Sequence, residues 1–89
     1  MKTFKQYNQE NPQIYQEFEK IAFQLIRRGY KRLSSKFICE IVRYNSMVSG
    51  NDMFKINNSY TADYARLFEK NNQNYYGYFS KRLINFRGN

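Results

Sequence analysis

Five cations fall within ten residues: Arg27, Arg28, Lys31, Arg32 and Lys36, with no acidic side chain among them. Clustered guanidinium and ammonium groups are the chemistry of phosphate recognition, and each phosphate they neutralise on a duplex adds about 0.9 to the salt dependence of binding. A purely structural explanation reaches only part of the cluster. Cations at the end of a helix complement its dipole by about 0.3–1 kcal/mol each, which suits Arg27 and Arg28 and leaves the other three unexplained. A second bias lies beyond Glu69, where no acid follows and Lys70, Lys81, Arg82 and Arg87 do. Lys81 and Arg82 are expected to lie along a nucleic-acid backbone, or to keep an edge strand from pairing with its neighbours. Between the two biases runs a polar series, Asn57, Asn58, Ser59 and Arg66, with the small Ala62 among them. Asn pairs with adenine and Arg with guanine in the major groove, and the amino-terminal end of a helix also suits a phosphate. Asp63 and Glu69 oppose this reading if they face the backbone.

What is missing narrows the chemistry further. The 89 residues contain no histidine, no tryptophan and one cysteine, with 15 Lys/Arg against 7 Asp/Glu and a net charge of +8. Without histidine there is no Ser-His-Asp triad, no Cys-His dyad and no His-ligated zinc. The seven carboxylates show neither metal-ligand nor paired-acid spacing, so neither an enzyme, a cofactor nor a small-molecule substrate is expected. One cysteine forms no intrachain disulfide and fits a reducing compartment. No apolar run has the length of a signal peptide or of a membrane span, and a cytoplasmic location is expected. Lys, Asn, Tyr, Phe and Ile are all favoured by AT-rich coding, and the chain has eleven Asn, nine Tyr and eight Phe. The local clusters therefore carry more weight than the overall charge.

The elements that must hold these residues follow from periodicity. A chain of this length makes one domain, 1–89, burying roughly 60% of its unfolded surface. Asn11-Pro12 reads as a cap and first position, and Ile14, Phe18, Ile21, Ala22, Leu25 and Ile26 recur at helical spacing, predicting a helix over 12–28 closed by Gly29. A short helical turn is expected before it, over 3–9. Ser34 or Ser35 caps a second helix to about residue 47, with Phe37, Ile38, Ile41, Val42 and Asn45 inward and Lys36, Glu40 and Arg43 opposite. Ser49 to Asp52 reads as a turn, and Phe54-Lys55-Ile56 as a very short strand. Asn57 to Ser59 caps a third helix over 58–71 with Tyr60, Tyr64, Leu67 and Phe68 inward and Asn58, Ser59, Ala62, Arg66 and Glu69 outward. An aromatic turn, Tyr75 to Phe79, leads into an extended segment from Ser80.

The predicted fold is mainly α: a three-helix helix-turn-helix core with a short β ribbon, winged-helix-like. About ten residues separate the second and third helices, against three or four in the tight motif, which favours an elaborated variant. The tyrosine-rich turn is expected to close the core or form a dimer contact, with stacking on unpaired bases as the other use. Cys39 is expected to be an inert small hydrophobe.

The stretch from Asn11-Pro12 to Gly29, followed by Phe54-Lys55-Ile56-Asn57-Asn58-Ser59, by Tyr60-Thr61-Ala62-Asp63-Tyr64-Ala65-Arg66 and by the aromatic turn, resembles a family of small phage, prophage and plasmid proteins. The likeness runs over nearly the whole chain and implies a mobile-element origin. In outline the predicted fold is also similar to winged-helix plasmid accessory factors that bind a transfer origin. The expected function is a small DNA-binding protein of a mobile element, acting at an operator or origin, with double-stranded DNA and a possible second copy of itself as partners. The alternative is a phage-encoded inhibitor that binds a protein of a host defence system.

Overall fold

The computed structural model describes residues 3–49 and 58–79. The described chain is mainly helical: α1 (Phe4–Glu10), α2 (Pro12–Arg27), α3 (Ser35–Val48), a 3-10 turn (Asn58–Tyr60), α4 (Thr61–Asn71) and a second 3-10 turn (Gln73–Tyr75). Among the described residues there is no strand; the expected strand at 54–56 and the segment from residue 80 lie outside them. Among the described residues the β pairing is an isolated parallel bridge between Leu33 and Phe79, so no β ribbon is part of the described fold.

Local chemistry explains each helix start. Thr3 and Gln6 form a reciprocal capping box, the Thr3 hydroxyl accepting from the Gln6 backbone N–H and the Gln6 side-chain Oε1 accepting from the Thr3 backbone N–H, both at 3.2 Å. Pro12 opens α2, where its missing N–H is no loss. Asn11 does not cap α2, as its sequence position suggests; its side chain instead donates to the Tyr7 carbonyl at 3.0 Å and closes α1. With one residue between the two helices, the orphan carbonyls of α1 compete for that amide and win it. Ser34, rather than Ser35, caps α3, accepting from the Phe37 N–H at 3.2 Å. The freed Ser35 hydroxyl donates across to the Thr61 carbonyl. The expected cap of α4 is replaced too: the 3-10 turn feeds directly into the helix through Tyr60, which makes no side-chain capping bond.

The α2 stripe packs as its spacing predicts, with Ile14, Phe18, Ile21 and Ala22 buried and Leu25 and Ile26 partly so. Around it the core is largely aromatic. Phe18 stacks on Tyr64 and on Phe79, each with ring centroids 5.6 Å apart, and Phe68 meets Phe79 edge-on at 5.5 Å. Phe23 joins at 5.2 Å from Phe68. Phe4 meets Tyr64 edge-on at 4.8 Å, and Tyr7 lies 4.8 Å from Tyr60, so α1 covers the start of α4. Such pairs contribute about 0.5–1.5 kcal/mol each beyond their burial.

Two faces differ from the sequence reading. On α3 the buried positions are Ile38, Cys39, Val42 and Ser46, while Phe37 and Asn45 are exposed. The inward face is thus rotated toward Cys39, because the small cysteine lets α3 approach the core closely. On α4, Glu69 is buried rather than outward, and its carboxylate accepts from the Gly77 N–H at 3.1 Å. A backbone donor held in the turn after the helix explains how the carboxylate is accommodated inside.

Candidate nucleic-acid interface

The cationic segment is built on a complete helix terminus. At the end of α2 the Gly29 N–H donates to the Ile26 carbonyl at 2.9 Å and the Tyr30 N–H to the Leu25 carbonyl at 3.2 Å, the paired bonds of a Schellman motif. Gly29 takes φ +99°, which a residue with a Cβ adopts only with strain. Arg27 and Arg28 sit where the carboxy-terminal dipole of α2 favours them. The chain then dips into the core at Leu33, which is buried and whose N–H donates to the Tyr78 carbonyl at 2.8 Å. Lys31 and Arg32 precede this anchor and are both exposed.

Lys36 follows in the first turn of α3 and is exposed as well. There its charge meets the positive end of the helix dipole, an unfavourable placement of about 0.3–1 kcal/mol, and no acid in that turn offsets it. The helix dipole therefore accounts for Arg27 and Arg28 and works against Lys36. All five cations of the cluster are solvent-exposed on one short stretch, with the exposed Tyr30 between them.

The amino termini of α3 and α4 meet, joined by the Ser35 hydroxyl on the Thr61 carbonyl. This brings the residue next to Lys36 against the first residue of α4. Along α4, Ser59, Ala62 and Arg66 share an exposed face. Arg66 is paired with Asp63 at 3.0 Å on the surface, an interaction in the range of about 0–1 kcal/mol that a competing phosphate or base can displace. Glu69, turned inward, no longer opposes an anion from that face. Past Arg66 a shallow groove of about 490 Å³ opens, lined by Arg66, Glu69, Lys70, Gln73 and Tyr76. Asn58 lies in the 3-10 turn at the head of α4; Asn57, Lys81 and Arg82 lie outside the described residues.

The remaining polar chemistry is structural. The Tyr15 hydroxyl donates to Glu19 at 3.0 Å, while the Asn72 amide reaches the same carboxylate at 3.0 Å and Asn71 reaches the Tyr15 oxygen at 3.3 Å. This network ties α2 to the end of α4. Burial, reinforced by the neighbouring Glu19, pushes the Tyr15 phenol up to about 12. Burial likewise pushes the Cys39 thiol up to about 11, in keeping with an inert side chain. Among the described residues no group of three or more His, Cys, Asp or Glu is placed to hold a metal ion, and no helix is long and apolar enough to cross a membrane.

One feature escaped the sequence reading. Phe37, Tyr44, Met47 and Val48 of α3 are 53%, 66%, 71% and 69% exposed. Spacings of four, three and four through Phe37, Ile41, Tyr44 and Val48 were there to be read as a second stripe, offset from the buried one. Phe37 and Ile41 neighbour Ile38 and Val42 in sequence, so the two stripes overlap in any single inward face.

No family model, curated protein or solved structure matches the chain.

Proposed function

We propose that this is a small winged-helix-like protein of a mobile element that binds double-stranded DNA in the cytoplasm, at an operator or transfer origin. The observation that carries the reading is the exposed run Arg27, Arg28, Lys31, Arg32 and Lys36, from the end of α2 to the first turn of α3, across a connection anchored from within by Leu33. A solvated loop needs no such anchor and gains nothing from a lysine at a helix amino terminus. Phosphate contact explains both, since a rigid loop holds its cations at fixed spacing and a helix amino terminus adds its own donors. In this arrangement the five cations hold the backbone, Ser59 and Arg66 face the groove with Asn57 and Asn58 leading into α4, and Lys81 and Arg82 extend the contact from the wing. The resemblance to phage and plasmid proteins supports the mobile-element setting.

Titration of a labelled duplex over a range of salt concentrations tests the reading. If all five cations meet phosphates, log K falls with log salt at a slope of about −4.5, and replacing Lys31 and Arg32 together by Ala reduces its magnitude by about 1.8. The exposed Lys20 of α2, replaced by Ala, serves as the control and leaves the slope unchanged. Absence of binding at low salt, or a slope indifferent to Lys31 and Arg32, refutes the proposal and leaves a protein target as the reading to pursue.

A further inference from the structure

We infer that the outer face of α3 is a self-association surface, on which two copies of this chain pair with their α3 helices antiparallel. The inference is independent of DNA binding. α3 carries two apolar faces, and only one is used by the fold: Ile38, Cys39 and Val42 are buried, whereas Phe37, Tyr44, Met47 and Val48 stand in solvent with Ile41 half-buried between them. On a helix advancing 100° per residue, Phe37, Ile41, Tyr44 and Val48 fall within a band of about 60°, lying roughly opposite the buried positions. A helix that needed only one face would carry polar residues there.

The order of side chains along the band fits a second copy. The four positions are symmetric about the point midway between Ile41 and Tyr44. A two-fold axis at that point sets Phe37 against Val48 of the other copy and Ile41 against Tyr44, so each larger ring meets a smaller aliphatic group, twice over. The same fit sets Glu40 level with the exposed Asn45 of the other copy, so no like charges face each other there. Parallel pairing would oppose ring to ring at Phe37 and Tyr44 and aliphatic to aliphatic at Ile41 and Val48. The area is also sufficient. At the exposures observed, Phe37, Tyr44, Met47 and Val48 leave on the order of 450 Å² in water per copy, within the range of a monomer's largest, often functional, apolar patch. Two copies with their rims bury about 1,000 Å², the lower limit of a specific interface and the mark of a reversible dimer.

Sedimentation equilibrium of the full chain, without nucleic acid, from about 10 μM to about 1 mM reads the association directly. The expected result is a concentration-dependent monomer–dimer equilibrium that Tyr44→Glu weakens at least tenfold with helicity and thermal midpoint retained, as befits a side chain in solvent. A chain that stays monomeric throughout overturns the inference, whether the face is covered from within or kept for a different protein. A dimer that Tyr44→Glu leaves intact overturns it too. Cysteine pairing tests the geometry: mixed Phe37→Cys and Val48→Cys copies cross-link under mild oxidation. Phe37→Cys alone does not, because its two copies stand about 16 Å apart in the antiparallel pair. Efficient cross-linking of Phe37→Cys alone refutes the antiparallel arrangement.

Discussion

Replacing Tyr64 by Phe stabilises this protein. Tyr64 is fully buried, with its ring edge-on to Phe4 at 4.8 Å and stacked on Phe18 at 5.6 Å, yet its hydroxyl has no hydrogen-bond partner. A buried hydroxyl left unpaired carries a desolvation penalty of about 1–3 kcal/mol. Deleting the oxygen leaves both ring contacts in place and opens a void of about 10 Å³, which costs about 0.25 kcal/mol. The expected net gain is about 1–2 kcal/mol, and each kcal/mol raises the midpoint of a domain this size by about 4–8 °C. Thermal and urea unfolding followed by circular dichroism give the number. A loss of about 1 kcal/mol or more would refute the reasoning, since it would show that the hydroxyl has a partner in the native state.

The same substitution has a signature at high pH. Burial raises the Tyr64 phenol well above the usual tyrosine value, and the neighbouring Tyr7, Cys39 and Tyr60 add smaller contributions in the same direction. The unfolded chain ionises this group near pH 10 while the folded chain keeps it neutral. Stability is therefore intact below about pH 10 and falls above it, by about 1.4 kcal/mol per pH unit for each phenol ionised only when unfolded. Tyr64→Phe removes one such group and makes the decline shallower. An unchanged slope would mean that Tyr64 is solvated in the folded state.

Two further outcomes follow from the fold. The Cys39 thiol, buried and pushed up to about 11, resists a thiol-specific chromogenic reagent at pH 8 in the native protein and reacts at once in denaturant; rapid native labelling would show that α3 opens locally. Gly77→Ala lowers stability by about 1–2 kcal/mol in urea unfolding, because φ is +92° while the space beside the Cα is open. Gly77→Asn loses less, since asparagine tolerates positive φ; equal losses would point to a steric cause instead.

The sequence disclosed those parts of the fold that depend on neighbours along the chain. The α2 stripe, the glycine terminus at Gly29 and the exposure of the five cations are set by local spacing, and all are as expected. What depends on packing was not legible. Asn11 serves either of two helices according to which carbonyl lies nearer, and spacing does not say which. Glu69 sits on the border of the α4 wheel, and the Gly77 N–H in the following turn meets it inside, a contact that spacing does not reveal. On α3 more than half of the residues are apolar, so periodicity defines two stripes and tertiary contact decides which is buried. The likeness of this segment order to a winged helix rests on residues 54–56 and those from 80 onward, outside the described chain. Of the candidate site, the cluster at 27–36 was legible as charge, while its anchoring through Leu33 and the meeting of the α3 and α4 amino termini were not.

The bond from the Leu33 N–H to the Tyr78 carbonyl has a consequence for the order of folding. Closing a loop between positions 33 and 79 carries an entropic cost of about 3.4 kcal/mol, taken as 1.5RT ln of the 46 intervening steps. A segment of seven residues linking α2 to α3 cannot meet that cost alone; the docking of Phe79 between Phe18 and Phe68 must supply it. During synthesis the cationic loop therefore emerges early but acquires its final shape only after the aromatic turn has left the ribosome. A nascent chain holds the charges without the spacing, and only the completed core turns them into a fixed template.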